Sequence, residues 1–268
     1  MTFARATEAQ ITRAIVRSWS REFDGLVRTD CVVVGAGPSG LVTAWELARH
    51  RRRVLVVEAT NYLGGGLWLG GYLFNKLTVR APAQRFLREL GVPYRQSRAG
   101  LYVADAPHLC ARLIAAACEA GVRFVQMTEL VDVVVRREGR VEGVVVNWSP
   151  VSALPKALAH VDPIALEATV VVDATGHDAA VVQALAKRGL MAPVPGNGAM
   201  WVEQGEAAVM EKTGECYPGL FVTGLAVSAV YGTPRMGPAF GAMLLSGRRC
   251  AQGIEQVLGR SPTEGARE

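Results

Sequence analysis

Asp30-Cys31-Val32-Val33-Val34-Gly35-Ala36-Gly37-Pro38-Ser39-Gly40 is the stretch that decides the fold. Its first half is a short, β-branched apolar run, which predicts a strand buried on both faces. Its second half is G-x-G-x-x-G, set directly after that strand. Residues 39–50 then read as a helix, and Arg53-Val54-Leu55-Val56-Val57-Glu58 as a second buried strand. Strand, helix and strand in about 30 residues make a βαβ unit with a right-handed crossover. In that setting the glycines have separate tasks. Gly35 makes the tight turn, Gly37 lets the backbone approach a pyrophosphate, and Gly40 allows close helix–strand packing. The helix N-terminus faces the negative charge. Glu58 closes the second strand, where a carboxylate can accept hydrogen bonds from ribose hydroxyls and would repel a 2′-phosphate. This favours NAD over NADP.

Working outward, apolar spacing near 3.6 predicts a leading amphipathic helix over 7–18. Residues 61–75 form a Gly-rich loop with interleaved aromatics, and 83–91 and 106–120 read as helices. Residues 128–136 and 140–147 flank Glu138-Gly139 as a hairpin. Residues 148–163 are irregular, with Pro150, Pro155 and Pro163. A strand follows over 166–175, then Gly176-His177-Asp178 and a helix to about Lys187. A short strand over 220–224 and a Gly/Ala-rich helix over 236–257 complete the chain. The expectation is one α/β domain over 1–268. It is a Rossmann-like dinucleotide-binding fold of the flavoprotein type, a central parallel sheet with an inserted β-hairpin layer.

Composition bounds the function. The 268 residues are 50% hydrophobic and 20% charged, enough for a large core. The net charge of +5 is mild, and Arg51-Arg52-Arg53 is the one basic run, read as a solvated turn. Nucleic-acid binding needs a concentrated basic face, so none is expected. The five Cys (31, 110, 118, 216 and 250) form no C-x-x-C pair, which argues against a disulfide framework or zinc knuckle. No apolar run approaches membrane-spanning length, and the N-terminus lacks a signal-like apolar stretch. A cytoplasmic protein with no membrane association is expected.

Val170 to Gly176 and Pro218 to Gly224 resemble the later strand–turn signals of flavoproteins. In those enzymes an Asp typically follows the second signal and holds the flavin's ribityl end. Here that position is Leu225, so an adenine dinucleotide without flavin is expected.

Of the four histidines, His50 and His108 fall in or beside helices and read as surface or packing residues. His177 follows a buried strand, and the carboxyl ends of parallel strands face the ligand crevice. His160-Val161-Asp162-Pro163 sits in the irregular segment. Imidazole and carboxylate together suit a divalent first-row metal such as Fe(II), with positions left open for substrate. From spacing alone the competing reading is polar groups that tie down loops.

With these residues in hand, the chain resembles the thiamine thiazole synthase (Thi4) family. The matches are Gly35 to Gly40, Gly64-Gly65-Gly66, His160 to Pro163, Thr175-Gly176-His177-Asp178, and Tyr231-Gly232-Thr233-Pro234-Arg235-Met236-Gly237-Pro238, and they extend outward to Ile11-Thr12-Arg13-Ala14-Ile15. The resemblance implies that NAD is consumed as a substrate. Nicotinamide leaves, the ribose opens and isomerises, glycine condenses with it, and sulfur addition and cyclisation give an adenylated thiazole carboxylate. It implies Fe(II) held by Asp162 and His177, with the metal site shared between protomers of a homo-octamer. Arg235 would pair with the glycine carboxylate. Gly35, Gly37, Ser39, Gly40, Glu58, Ala59, Gly66, Leu130, His160, Val161, Asp162 and Leu225 would bind the NAD. His160, Asp162 and His177 would form the catalytic group. His160 stands where the self-sacrificing eukaryotic members carry a sulfur-donor Cys, which implies the sulfide-dependent type. Three roles stay open for His160: an acid/base, a group behind the ligands, or a replacement for Cys. The alternatives are a ribose-1,5-bisphosphate isomerase, an FAD- or NAD-dependent oxidoreductase, and a regulatory nucleotide-binding module with a degenerate site.

Overall fold

The computed structural model describes residues 1–155, 157–158 and 161–259. In chain order it forms α1 (Glu8–Asp24), β1 (Arg28–Val34), α2 (Pro38–Arg49), β2 (Val54–Val57), β3 (Lys76–Arg80), α3 (Gln84–Glu89), β4 (Tyr94–Arg98), β5 (Leu101–Asp105) and α4 (Ala106–Glu119). There follow β6 (Arg123–Val125), β7 (Thr128–Val135), β8 (Val141–Trp148), α5 (Ser149–Ser152), β9 (Ile164–Asp173), α6 (Ala180–Lys187), α7 (Val202–Lys212), β10 (Gly214–Tyr217), β11 (Leu220–Val222), α8 (Leu225–Tyr231) and α9 (Gly241–Leu258).

Strand order β11-β9-β1-β2-β6 is parallel throughout, the arrangement that consecutive right-handed crossovers produce. Its valines explain it: Val32, Val33 and Val170 to Val172 are wholly buried, as strands covered on both faces require. The expected hairpin forms as β7 and β8, with Glu138 in a left-handed conformation at its tip. It is bonded into the main sheet, because β8 runs antiparallel along the first half of β9 while β11 takes the second half.

Helix α2 lies between the sheet and α9. Gly247 makes that crossing close: a Cβ there would stand 2.5 Å from the Ser39 carbonyl oxygen. Thr43 ties the two helices, its hydroxyl donating to the Ser39 and Gly247 carbonyls.

Several elements depart from the sequence expectation. Helix α1 runs on to Asp24, started by a reciprocal Thr7–Gln10 capping box. Its stripe Ile11, Ile15, Trp19, Phe23 keeps the four-residue spacing beyond the expected end, and none of its residues is buried. The separate antiparallel sheet β3-β5-β4 was not legible, since β4 reads Tyr-Arg-Gln-Ser-Arg and is mostly exposed. Helix α7 escaped notice because it buries only Gly205 and Val209 and shows little apolar periodicity. The irregular segment contains the short helix α5. The last helix begins at Gly241 rather than 236, and α8 precedes it as an independent turn of helix. The Arg51–Arg53 turn is less solvated than expected, because Arg52 pairs with Glu255 at 2.8 Å. Among the described residues, no helix is long and apolar enough to cross a membrane.

Candidate active site

The loops after the parallel strands meet, the Gly35 amide donating to the Val57 carbonyl, Gly35 lying against Ala174 and Gly224 against Ser39, and the glycine loop is built for close approach. Gly35 has φ +99°, and a Cβ on it would meet the Ala174 carbonyl oxygen at 2.5 Å. A Cβ on Gly40 would meet the Gly35 carbonyl oxygen at 2.1 Å. Gly37 differs: it caps α2 with φ −67°, and a Cβ there would meet nothing within 4 Å. The space in front of Gly37 is therefore free for a ligand, with the N-terminal amides of α2 behind it. Gly65 approaches this seat, and Gly66 borders open space beside it. Ser39 is buried under Gly224, whose own Cβ would strike the serine hydroxyl, so Leu225 at the start of α8 faces the same region.

Glu58 is buried and doubly engaged. One oxygen accepts from the Ala36 amide at 2.8 Å, and the other accepts from the Thr60 amide and hydroxyl, each at 2.8 Å. The carboxylate thus holds the glycine loop against the end of β2, with three of its roughly four acceptor sites taken and one left open. The Glu58 carbonyl accepts from Thr128, and the Ala59 carbonyl from the Ser149 hydroxyl. Asn147 donates to the Val161 carbonyl at 3.1 Å. These bonds draw Glu58, Ala59, the start of β7 with Leu130, and Val161 to one rim. His160 lies outside the described residues.

Asp162 and His177 are exposed, and among the described residues neither side chain takes a hydrogen bond or ion pair. Asp162 precedes β9, and His177 follows it. Among the described residues of a single chain, no group of three or more His, Cys, Asp or Glu is placed to hold a metal ion. The donor set fits Fe(II) in one way: an imidazole nitrogen and a carboxylate oxygen, both free, with the other positions filled from substrate or another copy.

Arg235 stands beyond α8, which itself packs against the Gly176–Asp178 turn. Its backbone is clamped on both sides, the amide donating to Ala199 and the carbonyl accepting from Trp201. Its guanidinium is exposed and without a protein partner among the described residues, as a fork awaiting a carboxylate should be.

Asp173 was missed from the sequence as a site residue. It is the fully buried last residue of β9, accepting from Thr175 and from the Val181 and Val182 amides. Burial pushes its carboxyl up, while those four donors favour the charged form. An acid ending an apolar run was the available signal.

Of the thiols, Cys110 lies directly beneath Gly64. Burial pushes Cys110, Cys216 and Cys250 up to about 12, and Cys31 well above its ordinary value. At neutral pH they stay protonated and unreactive. Iodoacetamide at pH 8 is therefore expected to label Cys118, the exposed one, and spare the other four in a peptide-mapped digest.

The Thi4 family model matches residues 12–240. The thiamine thiazole synthase of Aeropyrum pernix is 56% identical over 259 residues, covering 97% of this chain and 95% of that protein. The thiamine thiazole synthase of Pyrococcus horikoshii is 46% identical over 251 residues, covering 94% and 98%. The crystal structure of Thermovibrio ammonificans THI4 superimposes with a TM-score of 0.92 at 36% identity, covering 96% of this chain and all of that one. The glycine cradle, the free Asp162 and His177 and the clamped Arg235 all lie within a match that spans nearly the whole sequence, and the chain belongs to the Thi4 family.

Proposed function

We propose that the protein is a sulfide-dependent thiazole synthase that converts NAD, glycine and sulfide into the adenylated thiazole precursor of thiamine. In class this is a transfer of the NAD-derived pentosyl unit. What supports the reading is the Thi4 family match over residues 12–240 together with the open seat at Gly37, while Asp162, His177 and Arg235 are exposed and make no side-chain bond to a described residue.

The proposed roles are these. The α2 amides and Gly37 seat the pyrophosphate, and Glu58 takes the adenosine ribose. Leu130, Val161 and Leu225 supply apolar walls that keep the nicotinamide-side ribose from water. Arg235 holds the glycine carboxylate and so aims its amine at the opened sugar, lowering the entropic barrier. Fe(II) bound by Asp162 and His177 would supply a Lewis-acid template for the sulfur and glycine-derived donors, with no change of oxidation state required. With two donors per chain, a site shared between protomers of a homo-octamer completes the set. Five unpaired thiols accord with a reducing cytoplasm.

Anaerobic incubation with Fe(II), NAD, glycine and sulfide tests the reading by mass spectrometry. The adenylated thiazole is expected only in the complete mixture, over many turnovers and with the protein's intact mass unchanged. Turnover of ribose 1,5-bisphosphate without metal or sulfide, and no thiazole, would favour the isomerase instead. Arg235→Gln removes a charge-assisted bond of about 1.5–3 kcal/mol. The KM for glycine is then expected to rise about 10–100-fold with the affinity for NAD unchanged.

A further inference from the structure

We propose that Asp173 is a positioning residue for His177: its buried carboxylate fixes the turn that carries the imidazole, through bonds the dinucleotide loop does not share. The inference rests on the reading of His177 as an iron ligand.

The turn between β9 and α6 is short and conformationally demanding. Gly176 has φ +74° and Ala179 φ +41°, two left-handed residues on either side of His177 and Asp178. Glycine adopts that region freely, but alanine does so only when its surroundings hold it there. One Asp173 oxygen accepts from the Thr175 amide at 3.1 Å and hydroxyl at 2.7 Å. The other accepts from the Val181 and Val182 amides at 2.9 and 3.0 Å, satisfying donors of the first turn of α6. The Thr175 hydroxyl in turn accepts from the Ala180 amide at 2.7 Å. One carboxylate thus binds both ends of the loop. The His177 side chain has no hydrogen bond or ion pair to a described residue, so its placement depends on the backbone of this turn, against which α8 also packs.

The neighbouring glycine loop is held differently. Ala174 donates to the Val34 carbonyl at 2.9 Å, and Val34 pairs with Asp173 through the backbone ladder. Those bonds survive a change of side chain at 173. Asparagine at 173 keeps the shape but offers one acceptor oxygen and a donor amine where four donors converge, so one end of the turn is released.

The test is anaerobic Fe(II) titration, NAD titration and amide exchange of the intact protein. In Asp173→Asn, Fe(II) affinity is expected to fall about 10–100-fold, as for other groups that orient metal ligands. NAD affinity should stay within about twofold, and exchange at residues 180–182 should quicken at least about tenfold. Thr175→Val should shift Fe(II) affinity the same way, and Thr175→Ser should restore it. A folded Asp173→Asn with unchanged Fe(II) affinity, or with iron and NAD lost by equal factors, overturns the proposal. If Asp173→Asn does not fold, equal Fe(II) affinities in the Thr175→Val and Thr175→Ser variants overturn it instead. His177→Ala separates the two levels: Fe(II) binding that survives there refutes the ligand reading itself. Lost binding there, with Asp173→Asn unaffected, refutes only the positioning role.

Discussion

Gly37→Ala is expected to leave the protein folded and unable to bind NAD. The residue's φ of −67° suits alanine, and the added methyl meets no protein atom within 4 Å, so the melting temperature should hold. The methyl instead enters the seat of the pyrophosphate. Losing one or two amide bonds to a charged phosphate costs about 1.5–3 kcal/mol each, so NAD affinity should fall about a hundredfold or more. Gly40→Ala separates structure from binding in the opposite sense. Its methyl would lie 2.1 Å from the Gly35 carbonyl, a backbone atom that cannot yield without moving the turn. Overpacking of that kind should cost about 3 kcal/mol or more, seen as a lowered melting midpoint. Calorimetric titration with NAD and thermal melts of the two variants check both statements. Equal losses of stability in both would contradict the division of labour between the glycines.

The second large effect is at the metal donors. His177→Ala and Asp162→Ala remove side chains that are exposed and make no protein bond, so stability should change by no more than about 0.5 kcal/mol. Fe(II) binding should be lost in both. Thiazole formation should drop about a thousandfold or more, since a Lewis-acid site contributes several kcal/mol. NAD binding should persist in His177→Ala, because no protein atom stands within 4 Å of a Cβ on Gly37. Full activity in either variant would remove that residue from the metal site.

Much of this was legible in the sequence, for identifiable reasons. The strands β1, β2 and β9 announce themselves because burial on both faces demands unbroken β-branched runs. The glycine loop is readable because its geometry forbids a Cβ at Gly35 and Gly40. Strand β4 and helix α7 were hidden because each buries too little to impose a period. At the site, Glu58 was recognised for a ribose, but its second task, gripping the Ala36 amide, is a contact across 22 residues that no local pattern encodes. Asp173 was passed over for the same reason, since its partners at 181 and 182 lie past an irregular turn. Asp162 and His177 were read as iron ligands through the resemblance; spacing alone left loop-tying polar groups as the competing reading.

The central claim is that NAD is raw material and not a hydride carrier. The direct measurement follows NAD labelled in the nicotinamide-side ribose through an anaerobic reaction with Fe(II), glycine and sulfide. The label is expected in the adenylated thiazole, with one nicotinamide released for each thiazole formed. Label retained in intact or reduced NAD, with no free nicotinamide, would contradict the claim.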